Sequence, residues 1–316
     1  MRFFCVDDDP VFLDIISSNL QSQGFSQIKT AGSAREALDL VTDGRHPVDC
    51  FLVDIQMPEK DGIQLCRELR NIPGHNQTPI VMVTKISERG YVDRAFAAGA
   101  TDYVTKPLDD LEFRSRINMI KRLHDERQRT VSGSGLQGQT GGISATLDFA
   151  SPVLIPGIDN AVEYFALENY LLTLGKLRLY GSSALTINIA NAQTFHSNCD
   201  YEELLDILAD VAYSIFEGLK LHQFLISYAG SGNFVIFLPN RVDFDTEYLE
   251  CQINDALMQH EMTYAMDRLP VPQVNVGSLV GCGLLTTGRP TKMLERSISM
   301  VQPNGRASQI PGRLVA

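Results

Sequence analysis

Pro79-Ile80-Val81-Met82-Val83-Thr84-Lys85 is the stretch that decides the fold. Its first five residues form the most continuous apolar run of the chain's first part, the mark of a strand buried on both faces, as in parallel sheets covered by helices on each side. Upstream lie two more short apolar runs, Phe3-Phe4-Cys5-Val6 and Val48-Asp49-Cys50-Phe51-Leu52-Val53, and downstream a short strand over Thr101 to Val104. Strand-like Ser26 to Thr30 makes a fifth. Between them the apolar spacing turns helical, at Val11 to Leu20, Ala34 to Val41, Gly62 to Leu69 and Tyr91 to Ala98, and a charged amphipathic helix runs from Leu108 to about Arg127. Five strands alternating with five helices predict a doubly wound α/β domain with a five-stranded parallel sheet over residues 1–128. In such sheets the site lies beyond the carboxyl ends of the strands.

Polar residues stand at those ends. Asp7, Asp8 and Asp9 follow the first strand, Asp54 the third, Thr84 and Lys85 the fourth, and Lys106 the fifth. Converging carboxylates repel in a medium of reduced dielectric. A divalent cation with hard oxygen ligands would balance them, and an all-oxygen site favours Mg²⁺. Lys106 adds a second positive charge, and Lys106-Pro107 marks a constrained loop of the kind that takes a cis peptide bond. A carboxylate beside Mg²⁺, an ammonium and a hydroxyl suits phosphoryl transfer, where positioning and charge neutralisation do most of the work. Asp9-Pro10 reads instead as a helix N-cap followed by Pro at the first helical position.

FCVDDDP, VDIQMPEKDG, MVTK and DYVTKPL, in this order, resemble the signature of the response-regulator receiver family over residues 1 to about 128. The resemblance implies that Asp54 accepts the phosphoryl group. It implies that Asp8, Asp54 and the backbone carbonyl of Gln56 bind Mg²⁺, with Asp7 acting less directly. Thr84 would be the switch hydroxyl, Lys106 its ion-pairing partner and Tyr103 the aromatic that moves with Thr84. Met57-Pro58 and Gly62 shape the loop after Asp54. Gln56 and Ile86, two residues beyond Asp54 and Thr84, would border the path of an attacking water; apolar Ile86 implies a long-lived phosphoryl group. A histidine kinase or phosphotransfer protein is the implied donor.

Residues 130–146, TVSGSGLQGQTGGISAT, lose all periodicity and read as a flexible linker, with the domain break set at 129–158. The rest, 159–316, reads as a leading helix followed by β-α-β-β-α-β, an α+β pattern. Its elements are helix Asn160 to Leu179, strand Ala184 to Ile189, helix Tyr201 to Phe216, strands Phe224 to Tyr228 and Phe234 to Leu238, helix Phe244 to Gln259, strand Val274 to Val280 and helix Lys292 to Met300. The hairpin Ser227-Tyr228-Ala229-Gly230-Ser231-Gly232-Asn233-Phe234 resembles the central hairpin of GGDEF diguanylate cyclase domains, and Asn304-Gly305-Arg306 resembles a pair near that family's C-terminus. The resemblance implies a nucleotidyl-cyclase-like fold. The residues depart from it where chemistry would need carboxylates: Asn233 and Asn188 are neutral, Ala190 lies two residues on, and Leu221 and Phe224 occupy the product-binding positions. Loss of cyclase activity is the expectation, with Gly230, Ser231 and Gly232 either a plain tight turn or a remnant phosphate cradle. His196, Cys199 and Asp200 lack a fourth metal ligand in their loop. Leu204, Leu205, Leu208 and Val211 are core candidates.

The formal charge is −11 overall, −3 over residues 1–129 and −8 over 130–316. An acidic second half without a basic run is a poor partner for nucleic acid, whose binding rests on Lys and Arg neutralising phosphates. This argues against a DNA-binding regulator; an enzyme acting on nucleotides is the other alternative. No run reaches the roughly 18 apolar residues of a membrane span. The six scattered cysteines, with Cys5 and Cys50 in strands, suit a reducing cytoplasm. The expected function is a cytoplasmic response regulator signalling by protein–protein contact to a downstream protein, with a second copy of the chain as a candidate partner.

Overall fold

The computed structural model describes residues 1–133 apart from 45–46 and 86–88, and residues 148–301 apart from 156, 159, 175, 241, 244, 261–263, 266–268 and 283–289. Ile86 and Asn304-Gly305-Arg306 therefore lie outside the described residues.

The first domain runs β1 (Phe3–Val6), α1 (Pro10–Ser22), β2 (Ile28–Ala31), α2 (Ala34–Thr42), β3 (Cys50–Asp54), α3 (Gly62–Arg70), β4 (Ile80–Thr84), α4 (Arg89–Ala97), β5 (Asp102–Thr105) and α5 (Asp110–Gly133). The five strands form one parallel sheet in the order β2-β1-β3-β4-β5. The chain reverses direction across the sheet at β1, so the ends of β1 and β3 bound a crevice. Every residue of β1, β3 and β4 is buried, because helices cover both faces. Phe12, Ile16 and Leu20 of α1 with Phe113, Ile117 and Ile120 of α5 fill one side. Ala34, Ala37, Ile63, Leu65 and Ala95 from α2, α3 and α4 fill the other. Asp9 caps α1, its carboxylate accepting the Val11 and Phe12 N–H groups, with Pro10 first in the helix. Cys5 and Cys50 are fully buried, and burial pushes both thiols up.

The second domain runs α6 (Tyr164–Thr173), α7 (Lys176–Leu179), β6 (Ser183–Ile189), α8 (Ala192–Asn198), α9 (Tyr201–Leu219), β7 (Leu225–Tyr228), β8 (Asn233–Leu238), α10 (Thr246–Met258), β9 (Val274–Val276), β10 (Val280–Gly281) and α11 (Lys292–Ser299). Its sheet is antiparallel, ordered β10-β6-β8-β7 with β9 also on β6. On one face Leu204, Leu208, Val211 and Ile215 of α9 pack with Ile253 and Leu257 of α10, and Leu205 lies partly buried against them. On the other face sit Leu167, Tyr170 and Leu171 of α6 with Met293 and Leu294 of α11.

Several elements depart from the sequence reading, among them the helix expected over Asn160 to Leu179, which begins at Tyr164 and is two helices, α6 and α7. The helix expected to end near Arg127 continues as α5 to Gly133, inside the segment read as linker. The linker's far end joins the second domain before residue 158, because Val153 forms a bridge with Tyr228. The single strand expected over Val274 to Val280 is two: Val276 pairs with Ile187 but Val280 with Ala184, so three residues oppose two and a bulge separates β9 from β10. The first crossover also holds two helices rather than one, since Asp200 and Glu203 close a capping box that starts α9 afresh.

Candidate functional site

The acidic pocket forms at the carboxyl end of the parallel sheet. Asp7 directly follows β1, Asp54 ends β3, Thr84 ends β4 and Lys106 directly follows β5. Parallel register sets them level: Val53 is opposite Val6 and Met82, and Thr84 opposite Thr105. Asp7, Asp54 and Thr84 are buried and Asp8 is exposed. Carboxylate oxygens of Asp7, Asp8 and Asp54 lie within 4.8 Å of one another. Lys106 Nζ reaches Asp7 Oδ2 at 2.5 Å and Asp54 Oδ1 at 3.2 Å, with its charge 4.0 Å from the centre of the Phe12 ring. The Lys106 backbone N–H donates to the Thr84 carbonyl at 2.7 Å, tying hydroxyl and ammonium to one corner. The peptide bond between Lys106 and Pro107 is cis, as the loop's sequence suggests.

Charge balance in the pocket is negative. Burial, then repulsion from Asp7 and Asp8, raises the Asp54 carboxyl to about 6 against the pull of Lys106. Three hard oxygen donors with no nitrogen or sulfur ligand among them fit a divalent cation of the Mg²⁺ kind. Gln56 is exposed, two residues past Asp54.

The loop after Asp54 is built around one glycine. A Cβ on Gly62 would sit 2.0 Å from the Asp54 carbonyl oxygen, so any side chain there must push the end of β3 or α3 aside. Gly62 N–H instead donates to Ile55 O at 2.9 Å, and Asp61 caps α3 through Gln64 N–H.

Residues 3–118 match the family model for the response regulator receiver domain, and they form a receiver domain. Response regulator PleD of Caulobacter vibrioides is 30% identical over 151 residues, 46% of this chain and 32% of that protein. Transcriptional regulatory protein CpxR of Escherichia coli is 33% identical over 163 residues, 51% of this chain and 63% of that one. Signal transduction histidine-protein kinase BarA of the same organism is 30% identical over 139 residues, covering 44% of this chain and 14% of its own length. The chain thus spans less than two thirds of each of these relatives. Among solved structures, chemotaxis protein CheY4 of Vibrio cholerae is 26% identical over 38% of this chain and 97% of that one, with a TM-score of 0.35.

Tyr103, half-buried on β5, packs beside α4 at the edge of the core shared with the second domain. Its ring meets Phe96 of α4 edge-on at 6.4 Å, and Phe96 meets Tyr170 of α6 at 5.1 Å. Around this aromatic chain, Asn169 Nδ2 donates to Thr101 O at 3.2 Å, Tyr170 Oη donates to Asp93 at 3.0 Å and Arg178 pairs with Asp93 at 2.7 Å. Burial and the Asp93 carboxylate push the Tyr170 phenol up. None of Phe96, Asp93, Asn169, Tyr170 or Arg178 stands out in sequence. One signal was available: α6, YFALENYLLT, is apolar almost all round, which marks a helix buried on two sides.

In the second domain Asn188 and Asn233 meet each other. Asn188 ends its pairing with β8 opposite Asn233, and Asn188 Nδ2 donates to Asn233 Oδ1 at 2.9 Å. Ala190 donates its N–H to Gln273 O. At the hairpin turn, Ser231 N–H donates to Phe149 O at 2.7 Å, Gly232 N–H to Tyr228 Oη at 3.0 Å and Asn233 N–H to Gly230 O at 3.0 Å. The reading of this turn as a remnant phosphate cradle is therefore corrected: these donors are already spent within the chain, Ser231 on the segment before α6 and Gly232 and Asn233 within the hairpin itself. Asp200 serves as the α9 cap, and among the described residues Asp7, Asp8 and Asp54 form the one cluster suited to a metal.

Proposed function

We propose that the chain is a response regulator that receives a phosphoryl group on Asp54 and signals through a catalytically inactive, GGDEF-like second domain. The observation carrying this reading is the Tyr103–Phe96–Tyr170 contact, through which the expected switch aromatic touches the second domain. Asp54 attacks the phosphorus of a histidine kinase's or phosphotransfer protein's phosphohistidine, and the donor imidazole leaves. Asp8, Asp54 and the Gln56 carbonyl would hold Mg²⁺, with Asp7 acting less directly, and the ion would neutralise charge on the transferring oxygens. Lys106 leaves its ion pair with Asp54 for a phosphoryl oxygen, Thr84 donates its hydroxyl to another, and Tyr103 follows Thr84. This is a local charge event biasing a packed interface.

Loss of cyclase chemistry is supported by the Asn188–Asn233 amide pair, which offers neither a metal-binding carboxylate nor a base. Output then rests on protein–protein contact, with a downstream protein or a second copy as partner. Intact mass with and without a small phosphodonor and Mg²⁺, on wild type and Asp54→Ala, tests the reading. One added phosphoryl group on wild type alone is expected; an unmodified wild type that remains folded would overturn it. Incubation with GTP, Mg²⁺ and Mn²⁺ is expected to yield no cyclic dinucleotide.

A further inference from the structure

The segment just before α6 occupies the hairpin turn of the second domain in a way that looks built for it. Gly230, Ser231 and Gly232 all take left-handed backbone, with φ of 86°, 53° and 78°, which turns the Ser231 N–H outward toward residue 149. Phe149 supplies the acceptor at 2.7 Å. A Cβ on Gly230 would lie 2.2 Å from the Ala150 carbonyl oxygen, so Gly230 is needed for the approach of this segment as well as for the turn. The Phe149 ring lies 5.2 Å from His196, edge-on, and lines an apolar recess with Ala192, Phe195, Leu204 and Tyr228. The void left there is about 10 Å³, at or below what one water requires. Val153 then adds an antiparallel bridge to Tyr228 on the edge of the sheet, the pairing used in peptide recognition by strand addition.

We propose that the hairpin turn and this recess form a peptide-receiving pocket, and that Asp148–Val153 is its built-in ligand. Phe149 is the anchor: its ring fills the recess and its carbonyl takes the Ser231 N–H. The pocket thus accepts a peptide turn with one aromatic side chain followed by small residues, as Ala150 and Ser151 are here, the turn closed by Ser151 N–H donating to Asp148 O at 2.9 Å. Because the ligand is tethered, its effective concentration is on the order of millimolar, and a separate peptide cannot compete at low concentration. The inference is independent of what the receiver does.

Amide hydrogen exchange on the full chain tests it. Phe149→Ala is expected to speed exchange at Ser231 at least tenfold while Ile236, in the middle of β8, stays protected. Phe149→Leu, which keeps apolar bulk, is expected to fall between Ala and wild type. A synthetic peptide of residues 147–154 at millimolar concentration should restore protection at Ser231 in Phe149→Ala and leave wild type unchanged. Unchanged Ser231 exchange in both variants would overturn the proposal. So would protection of Ser231 confined to a dimeric fraction of wild type, which would assign the ligand to a second copy. If Phe149→Ala loosens Ile236 as well, the Phe149→Leu variant decides, since a ligand role requires Ser231 to open there first.

Discussion

Phe96 of the receiver and Tyr170 of the second domain pack their rings 5.1 Å apart, and Phe96 belongs to the apolar core of the second domain. The two cores are therefore joined through α4, the helix that follows the receiver's fourth strand. Tyr170→Ala together with Arg178→Ala removes the ring contact and all three hydrogen bonds to Asp93. The radius of gyration in solution is expected to rise, and the fraction phosphorylated at fixed donor to differ from wild type, because interface and phosphorylation are linked reciprocally. Tyr170→Phe, losing one hydrogen bond, should cost about 1 kcal/mol of stability and leave the shape unchanged. Scattering profiles and phosphorylation levels identical to wild type in the double variant would show the contact to be uncoupled.

The Asp54 carboxyl, raised to about 6, gives a defined pH dependence. A carboxyl whose folded value exceeds its unfolded one binds more protons in the folded state between the two. Its contribution therefore makes the metal-free protein less stable as pH rises from about 4 to about 6, with a plateau above. Asp54→Asn should stabilise the metal-free chain at pH 7.5 by about 1–2 kcal/mol after solvent screening and flatten this slope. Millimolar Mg²⁺ should raise the melting temperature of wild type and have far less effect on the variant. Thermal melts across pH, with and without Mg²⁺, check both.

Gly62→Ala places a methyl 2.0 Å from the Asp54 carbonyl oxygen. The expected cost is about 2–3 kcal/mol from overpacking, with a fall in phosphorylation by a small phosphodonor because the acceptor strand must shift. Chemical denaturation and intact mass read the two effects separately. A stable, fully phosphorylated variant would mean the loop yields without moving Asp54.

Placing acids at Asn188 and Asn233 tests the reading of these positions as neutral counterparts of cyclase carboxylates. Asn188→Asp with Asn233→Asp sets two carboxylates across a pair whose amides now hydrogen-bond at 2.9 Å. The double variant is expected to be destabilised at pH 7.5 by about 2 kcal/mol or more, and to recover stability at pH 5 or with Mn²⁺. Differential scanning fluorimetry over pH and metal checks this; no recovery under either condition would mean that the loss is steric.

Legibility in the sequence followed where the chemistry sat. Each pocket residue follows or ends its own strand, so the switch from apolar run to Asp7, Asp54, Thr84 or Lys106 announces both strand end and site. The Asn188 and Asn233 substitutions were equally plain, but their mutual hydrogen bond depends on β6 and β8 pairing, and β6 draws its other neighbours from distant segments near residues 275 and 280. Phe96 and Tyr170 could not be told from core residues of their own helices, since an apolar residue facing another domain looks the same in sequence as one facing its own. Phe149 is a single aromatic after a Gly- and Ser-rich stretch, with no periodicity to place it, and residues 45–46 and 86–88 of the receiver lie outside what the structure describes.

The placement of Phe96 has a consequence for separating the two halves. The family boundary closes at residue 118, yet a receiver severed at Gly133 would carry Phe96, Val92 and Tyr103 as a newly bared patch, and the remainder would bare Tyr170 and Leu171. Each fragment should be stickier and less soluble than the parent, and heat should melt the intact chain in one transition where two modular domains would give two.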